Sequence, residues 1–167
     1  MSARPDGWGD AELEALGRIA VNFAELDWYA GRLLAGFISP CDVAAILTAG
    51  ADLRWTLEKL SVIAAEALGD RLASSTLLAW VKASSMLVDR RNQFTHSFYL
   101  VREGEQSLAR MKASTRGGKW KGQSEPIGLA DLSEVAALLA EGLEAADRLV
   151  EQLASCPEWQ DPAAPLS

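Results

Sequence analysis

The sequence predicts a mainly α-helical protein, an up-and-down bundle of four to five helices with one β-hairpin near residues 97–112. Two observations predict this class. Apolar residues recur every three or four positions over long stretches near residues 10–37, 53–67 and 130–154, which indicates amphipathic helices. Strand-forming residues, by contrast, are concentrated in the single run Phe98-Tyr99-Leu100-Val101.

Capping and helix-breaking residues predict where the first helices begin and end. Asp10 is the expected N-cap of the first helix, and Pro40 lies just beyond its end because the residue before proline avoids helical geometry. A short helix is expected over residues 41–48. Asp52 is then expected to cap the next helix, and Gly69 follows that helix as a C′ residue.

The helix that follows is expected to run from about residue 70 toward His96 and to change character along its length. Its stripe is apolar up to Leu87 and Val88 and becomes polar at Arg91, while the helical period continues. Such a helix emerges from the core at its end, where packed turns behind the polar groups anchor them. Candidate functional residues are therefore expected at this end.

After that helix, Ser97 begins the expected β-hairpin, and glycine-rich residues 113–126 are expected to form a mobile loop. The closing helix is expected from about 130 to 154, and the proline-containing end is expected to be a tail. The predicted organisation is a flexible N-terminus over 1–9, a single helical domain over 10–154 with the hairpin and basic loop at 97–127, and a tail over 155–167.

The composition excludes several classes of protein. The 167 residues are 49% hydrophobic, which suits one globular domain, and the uncharged runs are too short to cross a membrane. The polar N-terminus lacks the apolar run of a signal peptide, so a cytoplasmic location is expected. One histidine and two distant cysteines offer no metal-ligand cluster, so neither a metal nor another cofactor is expected.

Charge is distributed unevenly along the chain. The net charge is −7, but residues 90–121 contain eight basic residues against two acids, a local balance of +6, which leaves −13 for the rest. Such asymmetry is typical of a protein with one face toward a polyanion, although a solvated basic hairpin fits the charge equally well. The candidate RNA-binding residues are Arg90, Arg102, Lys112, Arg116, Lys119, Trp120 and Lys121.

Trp120 stands between two of those cations, Lys119 and Lys121. A tryptophan flanked by positive charges suits stacking on an RNA base. It equally suits an aromatic ring that folds back over a hydrophobic edge, so both interpretations stay open.

The segment from Arg91 to His96 carries the residue types of a phosphodiester site. A guanidinium binds phosphate as a bidentate fork and stabilises charge in the transition state. The imidazole of His96 can act as general base or acid near neutral pH, and Asn92, four residues earlier on a helix, can orient that ring. A lone histidine is more often structural, and that alternative stays open.

At these residues the sequence resembles the HEPN family, whose signature is Arg-x4-6-His near the end of a long helix, often with a polar residue after the Arg. Arg91-Asn92-Gln93-Phe94-Thr95-His96 fits the Arg-x4-His form. The resemblance implies a helical fold and a metal-independent endoribonuclease of a toxin–antitoxin or phage-defence system. It also implies Arg91 as phosphate binder, His96 as acid–base residue and Asn92 as the orienting residue.

The same resemblance implies a homodimer with RNA as its substrate, and an antitoxin or neighbouring-gene protein as a partner. The dimer also has a chemical rationale, because cleavage by the RNA 2′-hydroxyl needs both a base and an acid, and each chain has one histidine. Glu25 and Asp27 are candidate carboxylates for holding Arg91, with solvated side chains as the alternative.

Two other functions remain open on the sequence alone. The first is a catalytically silent HEPN domain that binds RNA or a nucleotide, or mediates protein interaction. The second is a plain structural helical protein in which His96 caps a helix or packs in the core.

Overall fold

Four helices and one three-stranded antiparallel sheet make up the part of the chain that the structure describes. This computed structural model covers residues 8–38, 50–69, 71–95, 98–101, 108–116 and 119–162, and it gives the backbone for 98–101, 108–116 and 119–124. The elements are α1 (Asp10–Gly36), α2 (Leu53–Ala67), α3 (Leu72–Thr95), β1 (Phe98–Val101), β2 (Leu108–Arg116), β3 (Lys119–Ile127) and α4 (Leu129–Leu153). The mainly helical class is confirmed.

Helix ends follow most of the predicted capping residues. The Asp52 carboxylate accepts a hydrogen bond from the backbone N–H of Trp55 at 2.8 Å, which confirms it as the N-cap of α2. Gly69 has φ of +54°, a left-handed conformation that favours glycine after a helix. Gly9, not Asp10, is the N-cap of α1, so Asp10 lies in the first turn. The short helix predicted at 41–48 lies outside the described residues.

Leucines from all four helices build one core. The side chains of Leu26, Leu57, Leu77 and Leu139 are 0–1% exposed, one from each helix in chain order. Trp80 is buried beside them and its ring N–H donates to the carbonyl of Gly142 at 3.0 Å, which satisfies the polar atom of a large core side chain. Within the described residues, no helix combines the length and apolar composition that crossing a membrane requires.

The buried face of α1 differs from the predicted stripe in its first turns. Leu13 and Ala20 belong to the apolar stripe that the sequence indicates for this helix but are exposed, whereas Ala15 and Ile19 are buried. The reason is the partner helix: α1 packs along α4, and the Asn22 amide donates to the Ala136 carbonyl at 3.2 Å. Asn22 lies on the same side of α1 as the buried Ala15 and Ile19, so this side, rather than the one that carries Leu13 and Ala20, faces α4.

Hydrogen bonds and ion pairs between the described helices give their relative directions. Asn22 lies beside Ala136, and Tyr29, further along α1, donates a hydrogen bond to Asp147, further along α4, so α1 and α4 run parallel. Helix α3 runs antiparallel to α4, as the contacts between these two helices show. It also runs antiparallel to α2. Helices α1 and α2 therefore point the same way, as expected for an up-and-down bundle with the short helix predicted at 41–48 between them.

The sheet is larger than the predicted hairpin. Strand β1 pairs antiparallel with β2, with Phe98 opposite Met111, as expected for the hairpin. Strand β2 then continues to Arg116 and pairs along its whole length with β3. The predicted loop over 113–126 is therefore wrong for its described residues, since backbone pairing between β2 and β3 includes them.

The predicted C-terminal tail is also wrong for residues 155–162. The Trp159 side chain is 4% exposed, and its ring N–H donates to the Leu33 carbonyl at 3.1 Å. It packs so closely on Gly36 that no Cβ would fit there. Arg32 binds both carboxylate oxygens of Asp161 at 2.9 and 2.5 Å. We call residues 155–162 the C-terminal strap, and it fixes the end of α1 to the end of α4.

We expect Trp159→Ala to lower the free energy of unfolding by about 3–5 kcal/mol, because it empties a buried site that α1 cannot refill. Trp28→Ala is the matched control, since that ring is 54% exposed, and it should cost about 1 kcal/mol or less. Urea denaturation followed by circular dichroism measures both. Equal losses in the two variants would contradict the docked strap.

Candidate functional site

Arg91 lies on the inward stripe of α3, in the helix's last turns. Ser84 and Val88 precede it on that stripe and are buried, and Thr95 follows it. Its side chain is half-buried and its Nε atom is fully covered. The guanidinium is therefore held at the boundary between the core and the surface.

Among the described residues, an aromatic ring and an amide oxygen contact the Arg91 guanidinium and fix its direction. Its Cζ atom lies 4.3 Å from the centre of the Phe23 ring of α1, within the range of a cation–π interaction. Its Nη1 donates to the Oδ1 of Asn92 at 3.1 Å. A stacked and hydrogen-bonded guanidinium loses little further rotamer entropy when it binds an anion, because its geometry is already set.

Asn92 orients the arginine in this structure. The sequence indicated that its amide would orient His96, but its carbonyl oxygen accepts from Arg91. His96 lies outside the described residues, one position after the end of α3. The last residue of the helix, Thr95, donates its hydroxyl to the Arg91 carbonyl at 3.1 Å, and Phe94 is 5% exposed. The turn that leads to His96 is thus firmly packed.

The two candidate carboxylates occupy different environments. Asp27 is half-buried, and this burial, with a smaller contribution from the nearby Asp52 carboxylate, raises the pKa of the Asp27 carboxyl. Glu25 is exposed. Among the described residues, no hydrogen bond or ion pair joins either carboxylate to Arg91. The aromatic ring of Phe23, which the sequence did not single out, holds the arginine.

Arg90 and Arg91 are neighbours in sequence but face different helices. Arg90 is half-exposed on the α4 side, where its Nη2 lies 3.7 Å from the Glu134 carboxylate. Arg91 lies on the α1 side against Phe23. The two cations therefore do not form one phosphate clamp.

A cavity of about 140 Å³ opens beside the last turns of α3. Residues from three elements line it: Arg90, Gln93, Phe94, Glu125, Pro126, Ile127 and Asp131. It lies on the Arg90 side of α3, so it is distinct from the surface that carries Arg91.

The sheet register divides the candidate RNA-binding residues of β2 and β3 between two faces. Lys112 and Arg116 of β2 share one face with Lys119 and Lys121 of β3. Trp120, paired with Thr115, lies on the opposite face, so it does not share a surface with the two lysines that flank it. The remaining candidate, Arg102, lies outside the described residues.

Within the described residues, no group of three or more histidine, cysteine, aspartate or glutamate side chains is placed to hold a metal ion. The resulting arrangement is a fixed cation, an orienting amide and a packed helix end. Such an arrangement can bind a phosphate.

Comparisons of the chain with protein-family models, with curated protein sequences and with solved structures give no match.

The raised pKa of Asp27 has a consequence for stability. Because this pKa is higher in the folded than in the unfolded chain, ionising Asp27 costs stability. The cost is absent below the unfolded pKa, grows as the pH rises, and is complete above the folded pKa. We therefore expect the Asp27→Asn variant to have the same free energy of unfolding as the wild type at about pH 3 and a higher one at about pH 7.

Urea denaturation at a series of pH values measures this difference. In an Asp52→Asn background, most of the effect of Asp27→Asn should persist, because burial is the larger cause. A stability difference between the wild type and the Asp27→Asn variant that does not change with pH would contradict the assignment.

Proposed function

We propose that the chain is a HEPN-type, metal-independent endoribonuclease that cleaves RNA at a site shared by two copies, in a toxin–antitoxin or phage-defence setting. The observation that carries the proposal is the Arg91 guanidinium, fixed by Phe23 and Asn92 in the turns directly before His96. The geometry supports a phosphate-binding role for Arg91. The acid–base role of His96 is proposed from the sequence, because His96 lies outside the described residues.

The proposed reaction is an internal transfer at phosphorus. His96 of one copy removes the proton from a ribose 2′-hydroxyl, and the 2′-oxygen forms a bond to the adjacent phosphorus. The bond from phosphorus to the 5′-oxygen of the next nucleotide breaks, and that oxygen takes a proton from the imidazolium of the other copy. The products are a 2′,3′-cyclic phosphate and a free 5′-hydroxyl.

Arg91 would stabilise the extra negative charge that develops on the phosphoryl oxygens in the transition state. An electrostatic contribution of this kind is largest when the donor is oriented beforehand, because no reorganisation is needed during the reaction. The contacts with Phe23 and Asn92 provide that orientation. Asn92 is therefore a positioning residue in this proposal.

The proposal requires cleavage of RNA in the presence of EDTA. His96→Ala should reduce the rate about 10²–10⁴-fold through loss of acid–base catalysis. Arg91→Ala should reduce it about 10²–10³-fold through loss of charge stabilisation. The substrate is a labelled single-stranded RNA oligonucleotide, and mass spectrometry identifies the 2′,3′-cyclic phosphate end.

Arg18→Ala is the matched control for Arg91, because Arg18 is 68% exposed and pairs with Glu14 one turn away on the same helix. Its cleavage rate should equal that of the wild type. If the His96 and Arg91 variants cut as well as the wild type, the proposal is wrong. Tight, salt-dependent RNA binding without cleavage would also overturn it, in favour of a catalytically silent domain.

A further inference from the structure

The ribbon formed by β2 and β3 is charged on one face. Its register places five basic residues on one side: Arg110, Lys112, Arg116, Lys119 and Lys121. The same face contains Glu125, which is the only acid in the described residues of these two strands, and it stands opposite Arg110 at the end near α4. Beyond that pair, the face is exclusively basic or neutral.

The opposite face of the ribbon carries no charge. Its positions are Ala109, Met111, Ala113 and Thr115 on β2, and Trp120, Gly122, Ser124 and Pro126 on β3. The charges are therefore segregated by the two-residue period of the strands, although they looked like one mixed basic segment in the sequence. Segregation of this kind gives the ribbon a polarised surface.

The far end of the ribbon concentrates charges of one sign. Arg116 and Lys119 are register partners, so two cations stand directly opposite each other. Such a pairing destabilises a sheet by itself. A polyanion bound along this face would remove the repulsion, so the arrangement is better explained by a ligand than by the stability of the sheet.

We infer that the basic face of the β2–β3 ribbon binds the phosphate backbone of single-stranded RNA, apart from the cleavage site on α3. Residues on one face of a strand repeat about every 6.8 Å, the same order as the distance between neighbouring phosphates in an extended strand. The choice of RNA as the polyanion rests on the proposed function. Since phosphates carry the binding, it should depend strongly on salt and little on base sequence.

The test measures binding separately from cleavage. The probe is a fluorescent, mixed-sequence 2′-O-methyl RNA oligonucleotide, which cannot be cleaved because its 2′-oxygen is blocked. The ribbon variant is Lys112→Gln, Arg116→Gln and Lys119→Gln. We expect it to bind at least about tenfold more weakly, with the slope of log affinity against log salt smaller by about 2.

The control variant is Arg18→Gln, Lys82→Gln and Arg148→Gln, which has the same net charge as the ribbon variant. These three cations are exposed on α1, α3 and α4. The control should bind like the wild type. If both triple variants lose affinity equally, net charge alone explains the binding and the inference is wrong. Unchanged binding by the ribbon variant would also overturn it.

A second pair of variants keeps the test valid if the ribbon variant does not fold. Ser114→Lys with Gln123→Lys adds two charges to the basic face, and Thr115→Lys with Ser124→Lys adds two to the opposite face. Only the first pair should strengthen binding. Equal effects of the two pairs would contradict a face-specific site.

Two further outcomes distinguish this inference from its alternatives. Polyglutamate that competes as well as RNA would indicate a surface for acidic proteins and overturn the inference. Because the probe cannot be cleaved, absence of nuclease activity would refute the proposed function and leave the binding result interpretable. Cleavage by the ribbon variant with unchanged affinity would refute the ribbon alone.

Discussion

The contact between the Arg91 guanidinium and the Phe23 ring is the constraint on which the candidate site depends. Arg91 occupies an inward position of α3, where its neighbours one and two turns back are buried. A charge at such a position loses hydration, and the aromatic face offsets part of that cost by electrostatic attraction. The same ring limits the directions in which the guanidinium can point, so the stabilising contact also orients the functional group.

The topology of the bundle creates this contact. Because α1 and α4 run parallel and α3 runs against both, the middle of α1 lies at the level where α3 ends. The C-terminal strap secures the far end of α1 through Trp159 and Asp161. The strap thus helps fix the helix that carries Phe23, although it lies far from Arg91.

Periodicity and capping chemistry predicted the helices well, because these are local properties of the chain. Asp52 and Gly69 act as expected for that reason. The side of α1 that faces α4 depends on long-range packing, which no local pattern encodes. The docking of Trp159 on Gly36 escaped prediction for the same reason, since proline-containing ends are usually tails. Within the site, the position of Arg91 at a core boundary was predictable, whereas its partner Phe23 was one of many apolar residues on a stripe.

Strand β3 was missed because Gly117, Gly118 and Gly122, with the polar residues around them, suggested a loop. A signal was present, since Arg110, Lys112 and Arg116 alternate with uncharged residues, and Gly117-Gly118 is a pair that hairpin connections favour.

The most direct test of the central claim is hydrogen exchange of the arginine Nε–H groups by NMR, with and without the 2′-O-methyl RNA oligonucleotide. The Nε–H of Arg91 should exchange more slowly than that of the exposed Arg18, and this protection should be lost in the Phe23→Leu variant. The Arg91 signal should shift when RNA is added, whereas the Arg18 signal should not. An Arg91 signal that exchanges like that of Arg18 and does not respond to RNA would contradict a fixed, phosphate-binding guanidinium.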